Sequence, residues 1–228
     1  MTTLFRYPDS TALKRVVPKS RIYERAEATT ALKDRFVKEV DQITWAYKLA
    51  PETLNLPATK SVTEMQVFRV TLKVAAVSDD ILKAIDKAIP FPIIFELHYD
   101  GQIQVAAAHK RPSEAVDYKW VMSAHLRGEW VDKDALRHPL PVALNIGRLY
   151  EQILATLMPI ETTVGEDMAT RLARFEAVKA KGRDITRLEA KLKRETQFNI
   201  KVGLHGQLAE AQAAFELMKK PDQTGGET

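Results

Sequence analysis

The sequence predicts an α+β fold: a mixed β-sheet of about four strands with a β-α-β unit and a bulged hairpin, followed by a C-terminal helical hairpin or coiled-coil-like region. Three observations carry this. Residues 65–74, "MQVFRVTLKV", alternate apolar and polar side chains with Phe68, Val70, Leu72 and Val74 on one face, as a strand requires. The next stretch changes to a helical period, with Ile81, Leu82, Ile85 and Ile89, before "FPIIFELHY" returns to a strand. Near the C-terminus Leu204, Leu208, Ala211, Phe215 and Met218 recur at spacings of four, three, four and three, the seam of a coiled coil.

Element by element, the first segment contains Pro8 and Pro18, and "VVPKSRIYER" reads as an extended arm or edge strand. Leu32, Phe36, Val40, Ile43 and Tyr47 form one apolar stripe of a helix capped by Thr29 or Thr30 and ended by Pro51. After the strand at 65–74, Ser78 caps a short helix with Asp79 and Asp80 in its first turn, where carboxylates suit the helix dipole. The two strands flanking it are therefore parallel, joined by a right-handed crossover. "YDGQ" turns the chain back. A three-residue loop with Gly101 in the left-handed region pairs Leu97 with Ile103 and Phe95 with Val105, putting the apolar set on one face, and is preferred to a two-residue Asp-Gly loop.

"YKWVMSAHL", 118–126, is a fourth strand with Trp120, Met122, Ala124 and Leu126 in phase, and "RGEW" a turn. Asn145 caps a helix with Leu149, Tyr150, Ile153, Leu154 and Leu157 on its apolar side, and Pro159 and Gly165 mark a boundary. Met168, Leu172, Phe175 and Val178 lead into Gly182, after which Ile185, Leu188 and Leu192 continue in a second, basic helix. The domains expected are an α+β core over 1–160, a helical region over 166–220 and a disordered tail over 221–228.

Composition narrows the function classes. There are no cysteines, so disulfides, thiolate zinc sites and cysteine nucleophiles are excluded, which fits a reducing cytoplasm. No apolar run approaches a membrane span, and the N-terminus does not read as a signal peptide. The net charge is +4, and it is segregated to both ends of the chain. Residues 179–201 hold eight basic side chains against three acidic ones. Within them Arg183, Arg187, Lys191 and Arg194 share one helix face, a candidate for tracking a phosphate backbone without reading sequence. The competing reading is a solvated helix face.

"QFNIKVGLHGQ" then raises a question about Gly203 and Gly206. A helix ending near Asn199, with Gly203 in the left-handed region, would fold 204–218 back as a hairpin. Phe198, Ile200 and Val202 would form an apolar corner, read either as a docking surface for a partner or a second copy of the chain or as an ordinary hairpin bend packed on itself. Lys48, Thr53 and Asn55 in "YKLAPETLN" are read equally as turn chemistry or as a contact surface.

Catalytic and metal-binding signals are weak, and no catalytic residue, metal ligand or cofactor is assigned. A restriction-type nuclease needs an acid-x-Lys pair, but the residue two before Lys73 is Thr71; Glu39, Asp41 and Glu64 are the acids nearby. None of the five histidines has H-x-x-x-H spacing or a paired carboxylate beside it, and His98 reads as a surface or partner-facing residue. The phosphate-loop, dinucleotide and nucleophile-elbow motifs do not occur.

The segments "VPKSRIYE", "ITWAYKLAPETLNLPATKSVTEMQVFRVTLK", "AIDKAIPFPIIFEL" and "ETQFNIKVGL" resemble a bacterial family catalogued as domain of unknown function 4391. The resemblance runs from about Leu4 to Leu217. It implies a companion of DNA methyltransferases or helicases in restriction-modification or phage-defence gene clusters. The family's closing motif is more polar after "FN"; here Gly203 and Gly206 interrupt it, which speaks against a continuous C-terminal helix. The function expected is therefore a non-catalytic accessory or interaction protein, cytoplasmic, with a methyltransferase or helicase as partner. Nonspecific DNA contact and a homodimer through the C-terminal helices are compatible with it. The alternative is a divergent metal-dependent nuclease.

Overall fold

The computed structural model describes residues 3–113, 120–163 and 165–220. Two units divide the chain, Met1–Leu157 and Met158–Thr228. The expected disordered tail at 221–228 lies outside the described residues.

In the first unit β1 (Phe5–Arg6) and a 3₁₀ turn precede β2 (Ala12–Val16). The expected arm around Pro18 is instead α1 (Lys19–Ala26). Pro18 sits at its N-cap, where a missing N–H costs nothing, and its carbonyl accepts from Arg21 N at 3.0 Å. Glu27 ends the helix with φ 54°, in the left-handed conformation.

The single helix expected over the Leu32–Tyr47 stripe is corrected to α2 (Thr30–Glu39) followed directly by β3 (Val40–Leu49). Thr29 caps α2, its hydroxyl accepting from Leu32 N. β3 buries Val40, Ile43, Ala46 and Leu49, a period of three, because register shifts interrupt its pairing between Val40 and Gln42 and between Trp45 and Tyr47. An extra residue at each bulge moves the buried side along by one, and a bulged strand then imitates a helix period.

A short helix, α3 (Pro51–Leu54), leads to β4 (Met65–Leu72), α4 (Asp79–Ala88) and β5 (Ile93–Tyr99). β4 and β5 are parallel, as the β-α-β reading requires. Ser78 stands at the N-cap of α4, but its hydroxyl and N–H both go to the Glu39 carboxylate, tying α4 to the end of α2.

The hairpin to β6 (Gln102–Ala107) differs from the bulged form: Tyr99 pairs with Gln102, Leu97 with Gln104 and Phe95 with Ala106. Asp100 and Gly101 take φ of 46° and 75°, a two-residue turn whose twist matches the strands. A one-sided apolar set is no guide to register here, because both faces of this sheet are covered. Phe95, Leu97 and Ala106 join Phe36, Phe68, Ile81, Ile85 and Ile22 in the core under α1, α2 and α4. Ile94, Glu96, Ile103 and Val105, on the other face, are buried as well.

The expected fourth strand resolves into β8 (Trp120–Met122), paired with β7 (Lys110–Pro112), and a separate β9 (Leu126–Asp132); Tyr118 and Lys119 lie outside the described residues. "RGEW" is the interior of β9 and not a turn. Gly128 is needed there, since a Cβ would stand 2.9 Å from Thr3 Oγ1. The main sheet therefore has six strands among the described residues, in the order β2-β3-β4-β5-β6-β9, rather than about four. β10 (His138–Pro139) runs parallel to β1. α5 (Ile146–Thr156) is capped by Asn145, whose Oδ1 accepts from Arg148 N at 2.8 Å, and buries Leu149, Tyr150, Ile153 and Leu154.

The second unit is a helix pair. α6 (Met168–Arg194) runs unbroken through Gly182, and α7 (Phe198–Lys219) runs unbroken through Gly203 and Gly206. The expected break at Gly182 and left-handed corner at Gly203 are both corrected. The reversal lies at Glu195–Gln197, and Gly182 is placed where a Cβ would meet the Phe215 ring at 3.5 Å.

Two substitutions check these backbone assignments. Gly101→Val should lower the unfolding free energy by about 1–2 kcal/mol in urea titration, because a β-branched residue resists the left-handed region. Gly203→Ala should raise the stability of the helical unit by up to about 1 kcal/mol, since the site is helical and a Cβ there meets nothing within 4 Å. A corner glycine would give the opposite sign.

Candidate nucleic-acid interface

α6 is held by its seam. Asp167 caps it, accepting from Thr170 N at 2.7 Å. Phe175 and Val178 are buried, and Leu172, Gly182, Ile185, Leu188 and Leu192 are partly buried along the same side. On α7 Leu204, Leu208, Ala211, Phe215 and Met218 are partly buried, as are Lys201, Ala214 and Lys219. The seam expected for these residues therefore closes within one chain, against α6, and is not free to hold a homodimer. At the base of the pair Arg174 donates to both Glu166 carboxylate oxygens at 2.8 Å, to Glu161 O at 2.7 Å and to Met218 O at 3.4 Å. That ties the segment before α6 to the end of α7. The guanidinium also holds the Glu166 carboxyl below its usual range.

With the seam on one side, Arg183, Arg187, Lys191 and Arg194 all fall on the opposite side and are exposed. They span about 16 Å of helix at the standard rise per residue. Arg187 bonds Asp184 at 2.9 Å, an exposed pair within one helix turn and therefore weak. Beyond the basic row, the Glu195 carboxylate accepts from Thr196 N and Gln197 N at 2.8 Å, closing the turn. Those bonds lower its pKa. Phe198, Ile200 and Val202 follow in the first turns of α7 and are 77%, 45% and 55% exposed.

In the first unit, Lys48 at the end of β3 bonds Glu52 at 2.9 Å and pairs with Glu64 at 3.1 Å. The Thr53 hydroxyl accepts from Ala50 N and lies 3.0 Å from the carbonyls of Lys48 and Ala50. Asn55 ends α3 with φ 53°. All three have local roles in shaping this turn, and Asn55 is exposed.

Two buried charge networks were not foreseen. His125 Nε2 lies 2.8 Å from Asp86 Oδ2, with side-chain exposures of 0% and 1%, so one histidine does have a carboxylate partner, 39 residues away in the chain. The signal was present in the sequence: Asp86 falls among Leu82, Ile85 and Ile89 on the buried side of α4. The Lys110 ammonium, also buried, donates to the carbonyls of Asp86, Ile89 and Phe91, capping the C-terminal end of α4 with a cation. Burial lowers the Lys110 pKa, and Asp86 opposes that. Tyr150 OH accepts from Lys110 N at 3.0 Å and donates to Ala108 O. The network locks α4, α5 and β7 together.

The second network centres on Glu96, 1% exposed in β5. Arg137 reaches it with both terminal nitrogens, Arg69 from β4 stands 3.6 Å away and His98 Nε2 3.7 Å away. His98 is 23% exposed and leans toward Glu96 rather than outward. Burial alone would raise the Glu96 pKa; His98, the Arg137 fork and Arg69 reverse this and hold it at about 2. Of the acids weighed for a nuclease, Glu39 bonds Ser78, Glu64 bonds Lys48 and Gln66, and Asp41 is exposed on β3. Among the described residues no group of three or more His, Asp or Glu could share a cation.

The depressed Glu96 pKa has a defined pH consequence. Its ionised form stabilises the fold above the unfolded-state value near 4.5, and that contribution is lost as pH falls toward about 2. Urea midpoints of the wild type should drop steeply across that window. Glu96→Gln should be less stable by about 3 kcal/mol at pH 7 and should lose most of that slope.

No curated protein and no solved structure matches this chain. No described helix is long and apolar enough to cross a membrane. One family model does match, over residues 5–215, which include β1 through most of α7. The chain belongs to the family described as domain of unknown function (DUF4391).

Proposed function

We propose that this protein is a non-catalytic accessory module of a bacterial DNA-modifying or DNA-translocating system, with a methyltransferase or helicase as its partner. Its α6 contacts the DNA backbone, and its partner contacts are Phe198, Ile200 and Val202 at the helical turn, with the Lys48, Thr53 and Asn55 turn as a second surface. The observation that carries the reading is the sorting of α6. Four cations at spacings of four, four and three stand exposed along one side of a helix whose other side is committed to α7. No recognised DNA-reading motif accompanies them, so the contact is read as one with phosphates, which carries no sequence information. The gene-neighbourhood association implied by the family supplies the partner class. The alternative, a metal-dependent nuclease, draws less support: of its candidate acids Glu39 is bonded to Ser78 and Glu64 to Lys48 and Gln66, while Asp41 is exposed.

Binding to a labelled nonspecific duplex across a salt series tests this. The wild type should show log K falling against log salt with a slope of about −3 to −4, for three to four phosphates neutralised. The quadruple variant R183Q/R187Q/K191Q/R194Q should lose that binding while keeping its helical circular dichroism. Equal binding by the two proteins would remove α6 from the reading. Glu64→Ala should leave the salt-dependent duplex binding unchanged, whereas divalent-cation-dependent cleavage of the duplex by the wild type that is lost in a folded Glu64→Ala would favour the enzyme.

A further inference from the structure

On the face of the main sheet away from α1, α2 and α4, two rows of polar side chains cross the middle strands. Thr44 of β3, Arg69 of β4 and Glu96 of β5 pair in one row, and Thr71 of β4 and His98 of β5 pair in the next. Successive residues of a strand alternate between faces, so Arg69 and Thr71 stand on the same side, as do Glu96 and His98. Neighbouring strands lie about 4.8 Å apart, which gathers these side chains into one patch. The cover over this face reaches Glu96, where Arg137 bonds both the carboxylate and Phe5 O. It stops short of β2 and β4: Val16, paired with Thr44, is 59% exposed, and the Arg69 side chain is 41% exposed. Thr44, Thr71 and His98 are half-buried along this ledge.

The Glu96 carboxylate is satisfied, but the two groups outside it are not. Arg69 and His98 approach it only to 3.6 and 3.7 Å, beyond hydrogen-bond distance. Arg69 Nε and His98 Nε2 are closed to solvent, and neither has a hydrogen-bond partner among the described residues. Buried polar nitrogens are nearly always paired, and two orphans on adjacent strands call for an acceptor that the chain does not supply. Charge says which kind. Two guanidiniums face one carboxylate, so a positive charge is left over, and in that field Glu96 stays ionised down to about 2.

From these orphaned donors and the surplus charge we infer that the ledge binds a phosphate group, with Arg69 and His98 donating to its oxygens and the Thr44 and Thr71 hydroxyls flanking it. A phosphate accepts from several directions, which suits donors arriving from three strands. Glu96, buried and held by Arg137, positions Arg69 from beneath. The phosphate is either that of a free nucleotide or the 5′-terminal phosphate of a nucleic-acid strand. The site belongs to the first unit and does not depend on the α6 reading.

Titration calorimetry at constant ionic strength tests it, on the full chain carrying R183Q/R187Q/K191Q/R194Q so that the α6 row contributes nothing. Inorganic phosphate should bind once per chain, and acetate should not. Adding Arg69→Gln should weaken phosphate binding about ten- to a hundredfold, the loss of charge-assisted hydrogen bonds. Adding Arg148→Gln, an exposed arginine of α5 bonded to Glu151, should leave it unchanged. A 5′-phosphorylated tetranucleotide that binds more tightly than phosphate and than its own 5′-hydroxyl form assigns the site to strand ends. Adenosine monophosphate binding as tightly as that tetranucleotide assigns it to free nucleotides. A second readout serves if Arg69→Gln does not fold: with Arg69 intact, phosphate should shift the imidazole nitrogen resonances of His98 and leave those of His109 and His205 in place. Binding that survives Arg69→Gln, acetate binding as tightly as phosphate, or an absence of binding with an unmoved His98 signal would overturn the inference.

Discussion

The seam between α6 and α7 determines what every other side chain of the helical unit can do. Leu172, Phe175, Val178, Ile185, Leu188 and Leu192 are committed to Leu204, Leu208, Ala211, Phe215 and Met218, and each helix is rotated about its axis by that commitment. The basic residues of α6 are then turned outward as a row, and the weakly charged side of α7 is turned outward as a stripe. Neither surface was selected by its own contacts in the chain; both follow from where the apolar side chains had to go. Arg174 reinforces the arrangement from below by joining Glu161, Glu166 and the carbonyl of Met218.

The first unit depends on a different device, buried charge that is fully engaged. Lys110 gathers three carbonyls at the end of α4, Asp86 holds His125, and Glu96 gathers Arg137, Arg69 and His98. Such groups are expensive to strip of water, and leaving one unpaired costs more than the pair contributes. They therefore favour one arrangement of α4, β5, β7 and the Arg137 segment over near alternatives. Burial and partner geometry account for how these networks hold the first unit together.

Much of this was legible in the sequence, and the failures have physical causes. The β-α-β unit, the Asn145 cap and the α5 core side followed from periodicity and cap chemistry alone. β3 was misread because two bulges gave a strand the spacing of a helix. The hairpin register was misread because a one-sided apolar face was assumed for a sheet that is buried on both sides. The glycines at 203 and 206 were overvalued: their propensity cost of about 1 kcal/mol each is smaller than what a long apolar seam contributes, so tertiary packing carried the helix through them. The basic row and the apolar residues at 198–202 were legible as candidates, but their outward placement needed the seam. Contacts such as Asp86 with His125 join residues far apart in the chain, and only an odd carboxylate on an apolar helix side announced one of them.

The central claim is that the outward side of α6 lies against DNA. Lysine acetylation footprinting of the full chain, with and without a nonspecific duplex at low salt, tests it residue by residue. Lys191, in the row, should be protected by the duplex while exposed lysines of the first unit, such as Lys38 and Lys60, react unchanged. Unchanged reactivity at Lys191, or protection confined to the first unit, would contradict the account.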